Sequence, residues 1–84
     1  MNETTHVRSL LVRPAVYRIR VDGRLAPRWS ARLGGMTIAI REELGQPTIT
    51  ELTGPLPDQA ALLGVLNQLY QHLVPLLSVE CLSV

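Results

Sequence analysis

The sequence predicts an α+β fold: a two-layer β-β-β-α-β sandwich in which a four-stranded, mostly antiparallel sheet carries one helix on one face. Three observations predict it. The stretch from Asp58 to Leu73 repeats its apolar residues with a helical period, three earlier stretches alternate with a period of two, and an apolar run after Pro75 alternates again.

The helix organises the rest. At about 100° per residue, Val65, Leu69, Leu62, Leu73, Leu66, Tyr70 and Leu63 fall on one continuous arc. Asn67, Gln71, Gly64, Gln68 and His72 fall on the other, which is the pattern of a helix with one buried face. Asp58 suits the N-cap, because its carboxylate accepts from a free first-turn N–H at the positive end of the dipole. Pro75 lacks an N–H and pushes Val74 out of the α region, so the helix is expected over Asp58 to Leu73, burying Leu62, Val65, Leu66, Leu69 and Leu73. Each burial contributes roughly 1.5–3 kcal/mol, against on the order of 1–2 kcal/mol per residue to order the backbone. The helix therefore needs a sheet supplied by the rest of the chain.

The first strand is expected over Ala15 to Asp22, with Tyr17, Ile19 and Val21 on one face, Val16, Arg18 and Arg20 on the other, and Asp22-Gly23 as the turn that ends it. Leu25 to Gly35 neither alternates nor is long enough for a full helix; Pro27 fits the first position of one short turn that carries Trp29 and Leu33 inward. Met36, Ile38 and Ile40 then alternate with Thr37, Ala39 and Arg41 as the second strand, which forms a hairpin with a third over Thr48 to Thr53. Gly54, Pro55 and Pro57 are expected to break that ladder. Leu76 to Val84 supplies the fourth strand, with Leu77, Val79 and Cys81 on one face and Ser78, Glu80 and Leu82 on the other; a right-handed crossover sets it parallel to the third strand or the first. Residues 1–14 read as an N-terminal arm whose Leu10, Leu11 and Val12 can lie along a partner's sheet, and residues 15–84 as a single domain.

With 84 residues and 46% hydrophobic content, the chain bounds one small core rather than two. A domain of this size buries only about 60% of its unfolded surface, which makes a homodimer the default expectation. No apolar run reaches membrane-spanning length and no cleavable leader is legible, so a cytoplasmic protein without a membrane partner is expected. Cys81 is the single cysteine, which excludes an internal disulfide and a cysteine-based zinc site, and in its apolar run it reads as a small core residue.

The net charge of +1 conceals two unlike halves. Residues 1–41 hold eight arginines against Glu3 and Asp22, whereas residues 42–84 hold Glu42, Glu43, Glu51, Asp58 and Glu80 and no base. Either a basic surface or complementary charges that meet in the fold would follow.

The segments YRIRVDGRL, TELTGPLPDQAALLGVL and PLLSVE, spread over residues 16–80, resemble a group of short uncharacterised bacterial proteins that end on a "DQAAL…LLSV" block. The resemblance implies one fold unit and a bacterial source. It brings no activity and no catalytic or binding residue, and it leaves residues 1–14 outside.

No catalytic constellation is legible. His6 and His72 lie in different elements without carboxylate or thiol at ligand spacing, so neither metal nor cofactor is implied, and Gly34-Gly35 lacks the helix with Lys and Ser/Thr that a phosphate loop requires. Trp29, Arg28, Arg32 and Tyr17 are candidates for a ligand pocket near the short turn, although a lone tryptophan in so small a domain more often anchors a core or an interface. The arginines are the only signal for nucleic acid, and it is weakened by Glu51 and Glu80 on the face that carries Arg18, Arg20 and Arg41.

The best reading is a small non-catalytic interaction module whose first partner is itself. Its interface candidates are the uncovered sheet face (Val16, Arg18, Arg20, Ala39, Arg41, Ile49, Glu51, Glu80 and Leu82), an edge strand, or the Leu63/Tyr70 flank of the helix. A nucleic-acid binder using the arginine-rich half and a ligand-binding domain or enzyme with its pocket at Trp29 are the alternatives.

Overall fold

The computed structural model describes residues 11–84. Its elements are β1 (Ala15–Asp22), a 3-10 turn (Pro27–Arg32), β2 (Thr37–Arg41), β3 (Ile49–Leu56), α1 (Gln59–Gln71) and β4 (Leu76–Ser83). The sheet runs β2-β3-β1-β4 and every bonded pair in it is antiparallel. The fold is the expected α+β arrangement. Of the two crossovers left open above, β4 lies along β1 in the antiparallel sense, so it runs in the direction of β3 with β1 between them. Of the arm expected over residues 1–14, residues 1–10 lie outside the described residues, and Leu11 and Val12 are exposed.

The strand register builds the core in rows. Ile38, Leu52, Ile19 and Val79 face one another across the four strands, and Leu52 and Ile19 in the middle are fully buried. Thr50 is the one buried polar residue among the described residues: its hydroxyl accepts from the Leu25 N–H (3.0 Å) and donates to the Gly23 carbonyl (2.7 Å), so the turn after β1 is tied to β3 without an orphan group. Leu25, before the 3-10 turn, and Leu33 and Met36, after it, close the core.

β3 is longer than the sequence suggests. Its ladder with β1 continues past Thr53 through Gly54, Pro55 and Leu56, opposite Tyr17, Val16 and Ala15. β2 reaches only Thr53, so Pro55 stands where β3 has become an edge, the one place in a ladder where a missing N–H costs nothing.

α1 begins as expected, with the Asp58 carboxylate accepting from the Ala61 N–H at 2.8 Å. It ends two residues earlier. The Val74 N–H reaches back to the Leu69 carbonyl and the Leu73 N–H to that of Tyr70, the Schellman closure, with Leu73 in the left-handed position usually given to glycine (φ 58°). This corrects the expected buried set: Leu62, Val65 and Leu69 are buried and Leu66 is half-buried, but Leu73 is 87% exposed. Once the backbone leaves the helix the 100° period no longer applies, and the half-buried Val74 packs against the core where Leu73 was expected.

Candidate functional site

Three surfaces lie outside the core, and the first is apolar. Of the exposed large hydrophobics among the described residues, Leu63, Tyr70, Leu73, Leu76, Leu77, Val79, Leu82 and Val84 all belong to α1, its C-terminal turn, or β4 and the residue after it. The cause is the placement of the helix. It covers Leu52 and Ile19 in the middle of the sheet and leaves Val79, the β4 member of the same row, 38% exposed. Cys81, expected in the core, is exposed for the same reason: it faces the helix side of the sheet, opposite Tyr17, on a strand beyond the helix's reach. Between helix and strand lies a groove of about 240 Å³ lined by Leu66, Leu69, Tyr70, Val74, Pro75 and Leu76. β4 pairs on one side only, with β1, and register shifts at both ends leave Leu77 and Leu82 without partners there. Its outer edge offers free N–H and C=O groups among side chains of which only Glu80 is charged.

The open face of the sheet carries the expected arginines and acids, and they pair within the chain. Arg18 grips Glu80 with Nε and Nη2 at 3.0 and 3.2 Å; Arg20 donates to Glu51 at 2.8 Å and to Glu80 at 3.3 Å; Arg41 reaches the other Glu51 oxygen at 3.2 Å. The result is an alternating row, Arg41, Glu51, Arg20, Glu80, Arg18, that crosses all four strands. The Arg20 and Arg41 guanidiniums hold the Glu51 carboxyl below its ordinary value against the opposing effect of burial, and Arg18 does the same for Glu80. The Glu80 carboxylate in turn raises Arg18. Val16, Ala39 and Ile49 are half-buried on this face and Leu82 is exposed, so the apolar area left there is small.

A pH dependence follows. Both carboxyls have folded values below their unfolded ones, so their contribution is complete above the unfolded range, about 4.3, and is lost as pH falls through the folded values. Thermal stability is expected to be level from about pH 7 to 5 and to drop below it. Glu51→Gln with Glu80→Gln should lower stability at neutral pH and flatten the acid limb, the two curves converging in acid. Parallel limbs in a melting series would refute this role.

The third surface is the 3-10 turn. Arg28, Trp29 and Arg32 line a cavity of about 300 Å³. Trp29 is half-buried against the core, and His72 from the end of α1 meets its ring edge-on at 4.6 Å. Tyr17, grouped with these residues on sequence, is elsewhere: at 2% exposure it lies in the core and does not line this cavity. Among the described residues no three His, Cys, Asp or Glu side chains gather as a metal site, and His6 lies outside them. No helix among them is long and apolar enough to cross a membrane.

Fold and surfaces together define a small two-layer α+β domain with an uncovered apolar edge and an open face whose arginines and glutamates pair within the chain. The chain belongs to a family described as a domain of unknown function, DUF8691, whose profile matches residues 16–80, from the start of β1 into β4. No curated protein and no solved structure matches it.

Proposed function

We propose that the domain is a non-catalytic assembly module that works as a homodimer joined through β4 and the Leu63/Tyr70 flank of α1. The observation that carries this is the concentration of exposed apolar side chains along one unpaired strand edge and the helix flank beside it. Patches of that kind mark interaction sites, and a long apolar edge strand left open is otherwise an aggregation hazard. A two-fold axis near Val79 would pair β4 with its copy in the antiparallel sense, extend the sheet across both chains and bring the two helix flanks together over Val79. Of the candidate interfaces the open face is the weaker, because its charges already have partners and each further exposed pair would add only about 0–1 kcal/mol. The setting that goes with this reading is the bacterial cytoplasm, where an exposed free thiol such as Cys81 stays reduced.

Sedimentation tests it. The parent chain should sediment as a dimer, and Val79→Lys and Tyr70→Asp should each weaken association by about 30-fold or more while keeping the parent's far-ultraviolet dichroism. Arg20→Glu should leave it dimeric. A parent that stays monomeric at about 0.1 mM, where even a micromolar contact is populated, would overturn the reading.

A further inference from the structure

We infer that Arg28 and Arg32 form a binding site for a doubly charged oxyanion, a phosphate monoester group, with Trp29 as its wall. The inference is independent of the dimer. Arg18, Arg20, Arg24 and Arg41 each meet a glutamate. Arg28 and Arg32 meet no carboxylate among the described residues, although they project into one cavity from a single turn. Two like charges lining one cavity repel, and an anion bound there relieves the repulsion while accepting from both planar forks.

The turn is built to hold its shape. The Ser30 hydroxyl donates to the Met36 carbonyl at 2.6 Å, and the Leu33 and Gly35 N–H groups both donate to the Ser30 carbonyl. Trp29 is fixed from two sides: His72 meets its edge, and the Arg32 guanidinium lies over its ring at 5.4 Å from the centroid. That stacking orders Arg32 before any ligand arrives, which lowers the entropy lost on binding. It also covers an indole face, so the site selects for the charged group rather than for a flat ring seated on the tryptophan. Two of the three residues that line the cavity are arginines, which suits a small, strongly solvated anion better than an apolar ligand.

Because Trp29 is the chain's only tryptophan, its fluorescence reports the site directly. Inorganic phosphate and adenosine monophosphate should each give a saturable change at constant ionic strength, with adenosine and chloride giving none. A stronger response to the nucleotide would identify an organic phosphate as the natural occupant, and an equal one free phosphate. Arg28→Ala and Arg32→Ala should each weaken phosphate binding by about tenfold, and the double variant should abolish it with the melting curve and sedimentation of the parent unchanged. Arg28→Lys should restore part of the affinity, as a point charge without the fork. The inference fails if the double variant responds like the parent, if chloride reproduces the change, or if adenosine binds as well as its monophosphate.

Discussion

Replacing Leu52 by alanine is expected to cost about 2–5 kcal/mol, the range found when a fully buried leucine is truncated and its surroundings cannot collapse into the space. The site has little freedom to collapse. Leu52 sits on an interior strand, fixed in register opposite Ile19 on one side and Ile38 on the other, with the helix above. For 84 residues the total stability is on the order of 4–12 kcal/mol, so the loss is a large fraction of the whole. Chemical denaturation should show the midpoint falling with an unchanged slope. A variant within about 1 kcal/mol of the parent would mean that Leu52 and Ile19 are not the centre of the core.

The second large effect is expected at Gly34. Its φ is +67°, and a Cβ built there would lie 2.7 Å from Leu56 Cδ2 and 3.2 Å from Val65 Cγ2, between the end of β3 and the middle of α1. Gly34→Ala therefore combines a left-handed backbone penalty of about 1 kcal/mol with overpacking of about 1–3 kcal/mol. The neighbouring Gly35 separates the two contributions. It has φ +71° and nothing within 4 Å of the corresponding Cβ, so Gly35→Ala should show the backbone penalty alone. Equal losses for the two variants would refute the close approach of this turn to the helix.

Where the sequence was a good guide, the signal was local. The bounds of β1 follow from the alternation around Ile19 and from Asp22-Gly23, and the start of α1 follows from the capping chemistry of Asp58. The opposition of arginines and glutamates on one face also follows from alternation. That they pair within the chain does not, because the register that sets Arg18 against Glu80 joins residues 62 apart and leaves no mark on either neighbourhood. The exposure of Leu73 is not legible, because polarity keeps its period after the backbone has stopped being helical. Nor is the place of Pro55 in the ladder, because a proline's tolerance in a strand depends on where the neighbouring strand ends. Val79 and Cys81 look like core residues on pattern, and their exposure is decided by how far across the sheet one helix reaches. The cluster of Trp29 with Arg28 and Arg32 was visible as spacing; the contribution of His72, from the polar arc of the helix, was not.

The central position of β1 also governs when the molecule can fold. β1 leaves the ribosome first, yet both strands that bond to it are made later, and the β4 residue that faces Arg18 follows it by 62 positions. At 5–20 residues per second that interval is roughly 3–12 s, whereas a hairpin such as β2 with β3 closes in about 1–10 μs once it is free. Until α1 and β4 are available, β1 joined to the hairpin has one edge unpaired and the face that carries Tyr17, Ile19 and Val21 uncovered.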